Sequence, residues 1–183
     1  MQRLFFFYII LNLFFSIKIF AQNQSDQIIL MQLKTNKHLI EYYTENGESE
    51  KALEEELKQQ KINEQIIKTF EKNWDLCPVY FFYSEDTNEI LEEEFDILFK
   101  NIEENKLKEN ELNKLNDNFI IAYFGNTQGR LHFHALVLTD SKMKQLKKPN
   151  TRYVRTYNGL GFLKRSTEKV IEILEKKILF NKK

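Results

Sequence analysis

Cysteine is almost missing from this chain: Cys77 is the only one in 183 residues. No disulfide can close within the chain, so stability must come from packing. Glycine and proline are scarce as well, at five and two. So few glycines leave little room for phosphate-cradling loops, and the chain holds no P-loop, no Gly-rich dinucleotide turn, no nucleophile elbow and no His-Glu-x-x-His helix. Beyond the first 21 residues no apolar run approaches the roughly 20 residues that a bilayer span needs. Internal repeats and low-complexity tracts are missing too.

What is present begins with a leader-like segment. Met1-Gln-Arg3 carries one positive charge, and an apolar run from Leu4 to Phe15 follows, interrupted only by Asn12. Ala21, with Ile19 two residues before it, has the pattern of a signal-peptidase site. Residues 1–21 are therefore predicted to be a cleavable signal peptide, and residues 22–183 a single globular domain, periplasmic or extracellular after export. Lys18 cuts the span too short for a membrane anchor, and no Cys stands directly after the cleavage point to carry a lipid. Without the leader, 25 basic and 27 acidic side chains remain, a net charge of −2. Phe and Tyr are plentiful, which suits a packed core of one domain's size.

Charge is unevenly spread along the chain. Residues 41–117 hold 22 acids and 9 bases, whereas residues 141–169 hold 9 bases and one acid. Within the basic stretch, Lys147, Lys148, Arg152, Tyr153, Arg155 and Tyr157 form the candidate binding set. If Arg152 to Tyr157 is a strand, Tyr153, Arg155 and Tyr157 share one face, an arrangement of rings and guanidinium able to hold an anionic sugar, a phosphate or an acidic protein surface. The bland explanation is that acidic and basic halves neutralise each other across the fold. The export signal and the lack of a recognised binding motif argue against nucleic acid.

Periodicity predicts a helix over 25–46 through Ile29, Leu33, Ile40 and Tyr43, ended by Gly47. A second helix, capped by Ser49, should run to about Asn73 with Leu53, Leu57, Ile66, Ile67 and Phe70 inward. Val79–Tyr83 reads as a buried strand and 89–114 as a charged helix, with Phe95 to Phe99 a short strand as the alternative. Phe119–Phe124 and Leu131–Leu138 should pair antiparallel across a glycine-bearing loop, Arg152–Tyr157 should add a strand, and Thr167–Phe180 a closing helix that buries Val170, Ile171, Leu174 and Ile178. The expected fold is α+β: an N-terminal helical hairpin and a C-terminal helix packed on a mainly antiparallel sheet. A thioredoxin-like α/β arrangement is the alternative if Ile28 to Leu33 is a strand.

Three smaller constellations bear on chemistry. His132 and His134 flank Phe133, so on a strand both imidazoles would point to one face. Two such ligands suit zinc or another divalent metal if a third donor arrives, Asp140 and His38 being nearest in kind. A metal-dependent, hydrolase-like enzyme is thus the alternative function, and a divalent metal is the one cofactor left open. Cys77-Pro78 lacks the second thiol of a redox pair and reads as a small buried hydrophobe. In Ser84-Glu85-Asp86, Asp86 and Glu89 have capping-box spacing, so these carboxylates serve to start a helix more simply than as an acid and base.

The segments Asn73-Trp-Asp-Leu-Cys-Pro-Val-Tyr-Phe-Phe-Tyr-Ser84, Phe119-Ile-Ile-Ala-Tyr-Phe-Gly125 and Arg152-Tyr-Val-Arg-Thr-Tyr157 give the chain a resemblance, over most of 50–180, to a group of small uncharacterised exported bacterial proteins. Their leaders often end, as here, in Phe-Ala-Gln. The resemblance implies export and carries no catalytic motif. The leading expectation is a non-catalytic binding or interaction protein whose partner is an anionic envelope component or another protein. Mass spectrometry of the exported protein should give the mass of residues 22–183; the mass of the whole chain would contradict cleavage at Ala21.

Overall fold

The computed structural model describes residues 27–115, 119–148 and 151–181. The leader expected at 1–21 lies outside these. At the centre is β1 (Ile28–Leu33), with parallel neighbours on both sides: β2 (Val79–Tyr83) and β3 (Phe119–Asn126). β4 (His134–Thr139) runs antiparallel to β3, and β5 (Tyr153–Arg155) antiparallel to β4. The order is β2-β1-β3-β4-β5. The fold belongs to the α+β class, but its sheet is evenly mixed, with two parallel and two antiparallel pairings in place of the mainly antiparallel one expected.

The helix expected over 25–46 is replaced in its first part by β1. Ile29 and Leu33 are four apart, a spacing that also fits one face of a strand when Met31 lies between them. Ile28 and Leu30 are buried on the opposite face, so the run is apolar on both sides, as a central parallel strand must be. Ile28–Leu33 thus meets the condition set for the thioredoxin-like alternative. The hairpin survives in shorter form: α1 (Lys37–Glu45) and α2 (Ser49–Asn73). Between them Gly47 takes φ 75°. Its N–H donates to Thr44 O at 3.1 Å and that of Glu48 to Tyr43 O at 2.8 Å, the two bonds of a Schellman motif. Glu48 then starts α2 through its own carbonyl, so Ser49 is the first helical residue and not the expected cap.

Leu53 and Leu57 of α2 are 56% and 47% exposed, contrary to expectation. α2 packs here on α1, which buries no residue of its own. The inward stripe is Ala52, Gln59, Asn63, Ile66, Ile67 and Phe70. With Val170, Ile171 and Leu174 of α5 (Thr167–Asn181), Ile66, Ile67 and Phe70 cover one face of the sheet, against Met31, Leu33, Ala122, Leu136 and Val154. Ile178 is partly buried against the same cluster.

The other face is covered by residues 84–115, where no long helix forms. α3 (Thr87–Leu91) stops where Glu93 takes φ 65°, and α4 (Glu109–Leu112) is a single turn. Ile90, Leu98 and Leu115 pack there on Leu30, Phe82 and Ile121. Phe99 joins the sheet by one bridge only, exchanging both backbone hydrogen bonds with Phe81 at 2.8 and 3.0 Å. The expected cap at Asp86 makes no side-chain bond to the helix it precedes; instead the Thr87 hydroxyl donates to Ser84 O at 2.7 Å. Burial, reinforced by Glu85 and Glu89, pushes the Asp86 carboxyl above its ordinary range. Among the described residues no helix is long and apolar enough to cross a membrane.

Where α2 meets the end of β1, a chain of amides crosses the interior. Asn36, at φ 52°, donates from Nδ2 to Glu55 Oε1 at 2.8 Å and Gln59 Oε1 at 3.0 Å. Gln59 Nε2 donates to Asn63 Oδ1 at 3.0 Å, and Asn63 Nδ2 to Lys34 O at 2.7 Å. Asn63→Leu would leave the buried Gln59 donor and the part-buried Lys34 carbonyl without partners, so it should destabilise by about 1–3 kcal/mol. Urea denaturation checks this: a shift in midpoint with unchanged slope is expected.

Candidate basic cleft

The carboxyl ends of β1 and β3 open into a cleft of about 680 Å³, bounded by α2 and by the turn entering α5. This is where open sheets with parallel strands usually take ligands, and the volume suits a small molecule. Phe124, near the end of β3 on the helix-covered face, and Val170 give it an apolar floor, with His134 and Thr156 beside them on β4 and just past β5. Lys34, Lys58, Lys164 and Arg165 line it, against one acid, Glu55.

Glu55 is already satisfied. Lys58 Nζ lies 2.9 Å from its Oε2, and the Lys58 bond, then the Asn36 bond, hold its carboxyl below the usual range. Among the described residues no carboxylate pairs with Lys34, Lys164 or Arg165. Arg165 donates from one guanidinium nitrogen to Arg155 O at 3.0 Å, and its plane lies 4.6 Å from the centre of the Tyr157 ring.

His134 contributes an imidazole. Its Nδ1 lies 2.8 Å from Thr156 Oγ1 and 3.0 Å from Asn158 Nδ2, while the Thr156 hydroxyl donates to the His134 carbonyl at 3.0 Å. Nδ1 is thereby engaged, and Nε2 is the ring nitrogen left for a ligand. Burial, then the nearby Lys34 charge, lowers its pKa.

The sequence-derived candidates are only partly brought together. His132 sits in the loop before β4, not on the strand, and its Nδ1 lies 3.1 Å from Thr127 O. The shared strand face expected of the two histidines is not formed, because β4 begins at His134. Asp140 follows the far end of β4 and closes a turn by accepting the Lys142 and Lys144 N–H groups at 3.0 and 2.9 Å, while His38 is exposed on α1 beside Glu41. Among the described residues no three of His, Cys, Asp and Glu group around a common point. Cys77 is partly buried against the helix-side core.

Of the basic set, Tyr153 and Arg155 alternate on β5, but the strand ends at Arg155 and Tyr157 turns away at φ 55°. Arg155 stacks on Phe133 at 3.5 Å and Arg152 on Tyr153 at 5.5 Å. Lys147 and Lys148 are exposed in the preceding loop. α5 adds a cation that the sequence reading did not include: Lys177, whose ammonium donates to Tyr153 O at 3.2 Å. Burial lowers its pKa, the Tyr153 contribution opposes this, and Arg165, Arg152 and Arg155 lower it further. Mutual repulsion of this kind marks a concentrated positive field.

Nor do the acidic and basic halves cancel through contacts. Among the described residues every ion pair lies within 37–111 or within 169–176; none joins the bases of 142–165 to the acids of 41–117. Sequence reasoning missed Lys34, Lys58 and the amide chain. The polar positions Gln59 and Asn63, in line with Ile66 and Phe70 on α2, were the signal available. No protein-family model, curated protein or solved structure matches the chain.

His134 should titrate below 6.5, its ordinary value. The native state then binds fewer protons than the unfolded chain, so the stability contributed by the neutral ring is present above pH 6.5 and is lost as pH falls toward the lowered native value. NMR titration of the His134 ring should give a midpoint under 6.5, and His134→Gln should flatten the acid side of the stability profile over that window.

Proposed function

We propose that the chain is an exported, non-catalytic binding protein of the cell envelope or medium that holds an anionic ligand in the basic cleft. The observation that carries this is the set Lys34, Lys164 and Arg165, three cations on one cleft with no carboxylate partner among the described residues, above an apolar floor at Phe124 and Val170. A small organic anion suits such a lining. Its charge meets the ammonium and guanidinium groups, its carbon skeleton meets the ring, and Asn158 and His134 Nε2 supply directional contacts. Arg152, Arg155 and Lys177 stand behind the cleft as a second tier, drawing anions toward this side of the molecule.

The alternative, a metal-dependent hydrolase on His132 and His134, has less to support it, since only His134 faces the cleft and the Asp140 and His38 donors are engaged elsewhere.

Citrate serves as a probe. It should raise the thermal midpoint more than sodium chloride of equal ionic strength. Because Lys34 and Lys164 are exposed, Lys34→Glu with Lys164→Glu should leave the fold intact while weakening citrate binding by about tenfold or more. Equal midpoints in citrate and chloride, or a double variant that binds citrate as the original does, would overturn the reading.

A further inference from the structure

Two loops meet at the end of the sheet beside this cleft. One joins β3 to β4 and covers 127–133; the other joins β5 to α5 and covers 156–166. They are neighbours because Ala135 pairs with Arg155 across β4 and β5, and because the Arg155 guanidinium lies on the Phe133 ring. Each loop holds bulky apolar side chains out in water. Phe162 is 96% exposed and Leu131 69%, and Leu160 and Leu163 are exposed beside them. Residues of these types are normally turned inward, so their grouping at one end asks for an explanation.

The exposure is built into an ordered turn. Leu160 N–H donates to Tyr157 O, Leu163 N–H to Leu160 O and Lys164 N–H to Gly161 O, at 3.2, 3.0 and 3.0 Å. Gly159 and Gly161 take φ 85° and 49°, with nothing within 4 Å of where a Cβ would stand. These glycines allow the turn to project Phe162 away from the body of the protein.

The sequence that carries the tips is charged almost entirely in one sense. Over 119–167 there are nine bases and a single acid, Asp140, and that acid lies past the far end of β4 in its own turn. Arg130 adjoins Leu131, and Lys164 and Arg165 follow Leu163. We infer that this end of the molecule is a docking surface for a bilayer containing anionic lipid. Phe162, Leu131, Leu160 and Leu163 enter the boundary between headgroups and acyl chains, and Arg130, Lys164 and Arg165 remain at phosphate level. A bilayer accepts separate protruding side chains of any shape and meets the cations without directional demands. A protein partner would have to present matched hollows to tips on two loops together with an acidic rim. The attachment is peripheral; it shares Lys164 and Arg165 with the cleft, whereas its apolar tips lie outside the cleft lining.

The test uses protein purified from the cell that exports it, its mass measured so that every variant has the same N-terminus. Cosedimentation is measured with vesicles of phosphatidylglycerol and phosphatidylcholine, and with phosphatidylcholine alone. Binding to the anionic vesicles only is expected, lowered about tenfold or more by Phe162→Ser and lowered also by Arg130→Gln, with the fold unchanged by circular dichroism since Phe162 packs on little. Wild-type and Phe162→Ser protein binding equally, or equal binding to both vesicle types, overturns the inference. Binding to neither vesicle overturns it too and leaves a protein as the occupant of the tips. Phe162→Ser does not touch the cleft, so a citrate-induced thermal shift that persists while vesicle binding fails would sink this inference alone.

Discussion

Burial of β1 on both faces is the constraint to which the remaining structure answers. A strand with parallel neighbours on either side cannot be reached from them by tight turns. The link to β2 becomes the hairpin of α1 and α2 on one face, and the link from β2 to β3 crosses the other face as residues 84–115. Ile29, Met31 and Leu33 are thereby hidden by α2, and Ile28 and Leu30 by the irregular cover. The same routing leaves the carboxyl ends of β1 and β3 open side by side, and that opening is the floor of the cleft.

The amide chain Asn36-Gln59-Asn63 follows from this arrangement. At the end of β1 the backbone must leave the sheet next to α2, and the Lys34 carbonyl loses its strand partner there. Asn63 supplies the missing donor, Gln59 satisfies Asn63, and Asn36 satisfies Gln59. A polar chain with every member bonded holds a defined geometry in the interior, and here it aligns Lys34 and Lys58 along one wall. The opposite wall is set by backbone bonds: Thr156 N–H to His134 O and Arg165 N–H to Thr156 O, at 3.1 and 2.9 Å. Cations drawn from 34, 58, 164 and 165 thus converge on one space. Lys58 is discharged by Glu55, while among the described residues no ion pair reaches Lys34, Lys164 or Arg165.

Much of the architecture was legible because period and punctuation agreed. Val79–Tyr83, the antiparallel pairing of β3 with β4, the turn at Gly47 and the stripe Val170-Ile171-Leu174 all lie where local pattern puts them. Errors arose where one pattern fits two periods or where burial depends on a distant neighbour. Ile29 and Leu33 satisfy a helix as well as a strand. Leu53 and Leu57 belong to an apolar stripe that meets no sheet, since the helix beneath them is too short to bury anything. Residues 89–114 have helical spacing, yet Leu98 faces one core and Phe99 bridges to Phe81, and a continuous helix could not make both contacts.

What the sequence by itself determined is the class and composition of the answer: an α+β fold, one cysteine that can close no disulfide within the chain, and bases gathered into one stretch while acids fill another. These properties are sums over residues or follow from local periodicity, so they need no knowledge of which segments meet. Only the tertiary structure decided that His132 and His134 part company, that Tyr157 leaves the face of Tyr153 and Arg155, and that Lys34 and Lys164 line one cleft. The first two depend on where a strand begins or ends, and the last joins positions more than a hundred residues apart; both follow from strand order and register, which are set by the packing of the whole sheet rather than by any segment's own pattern.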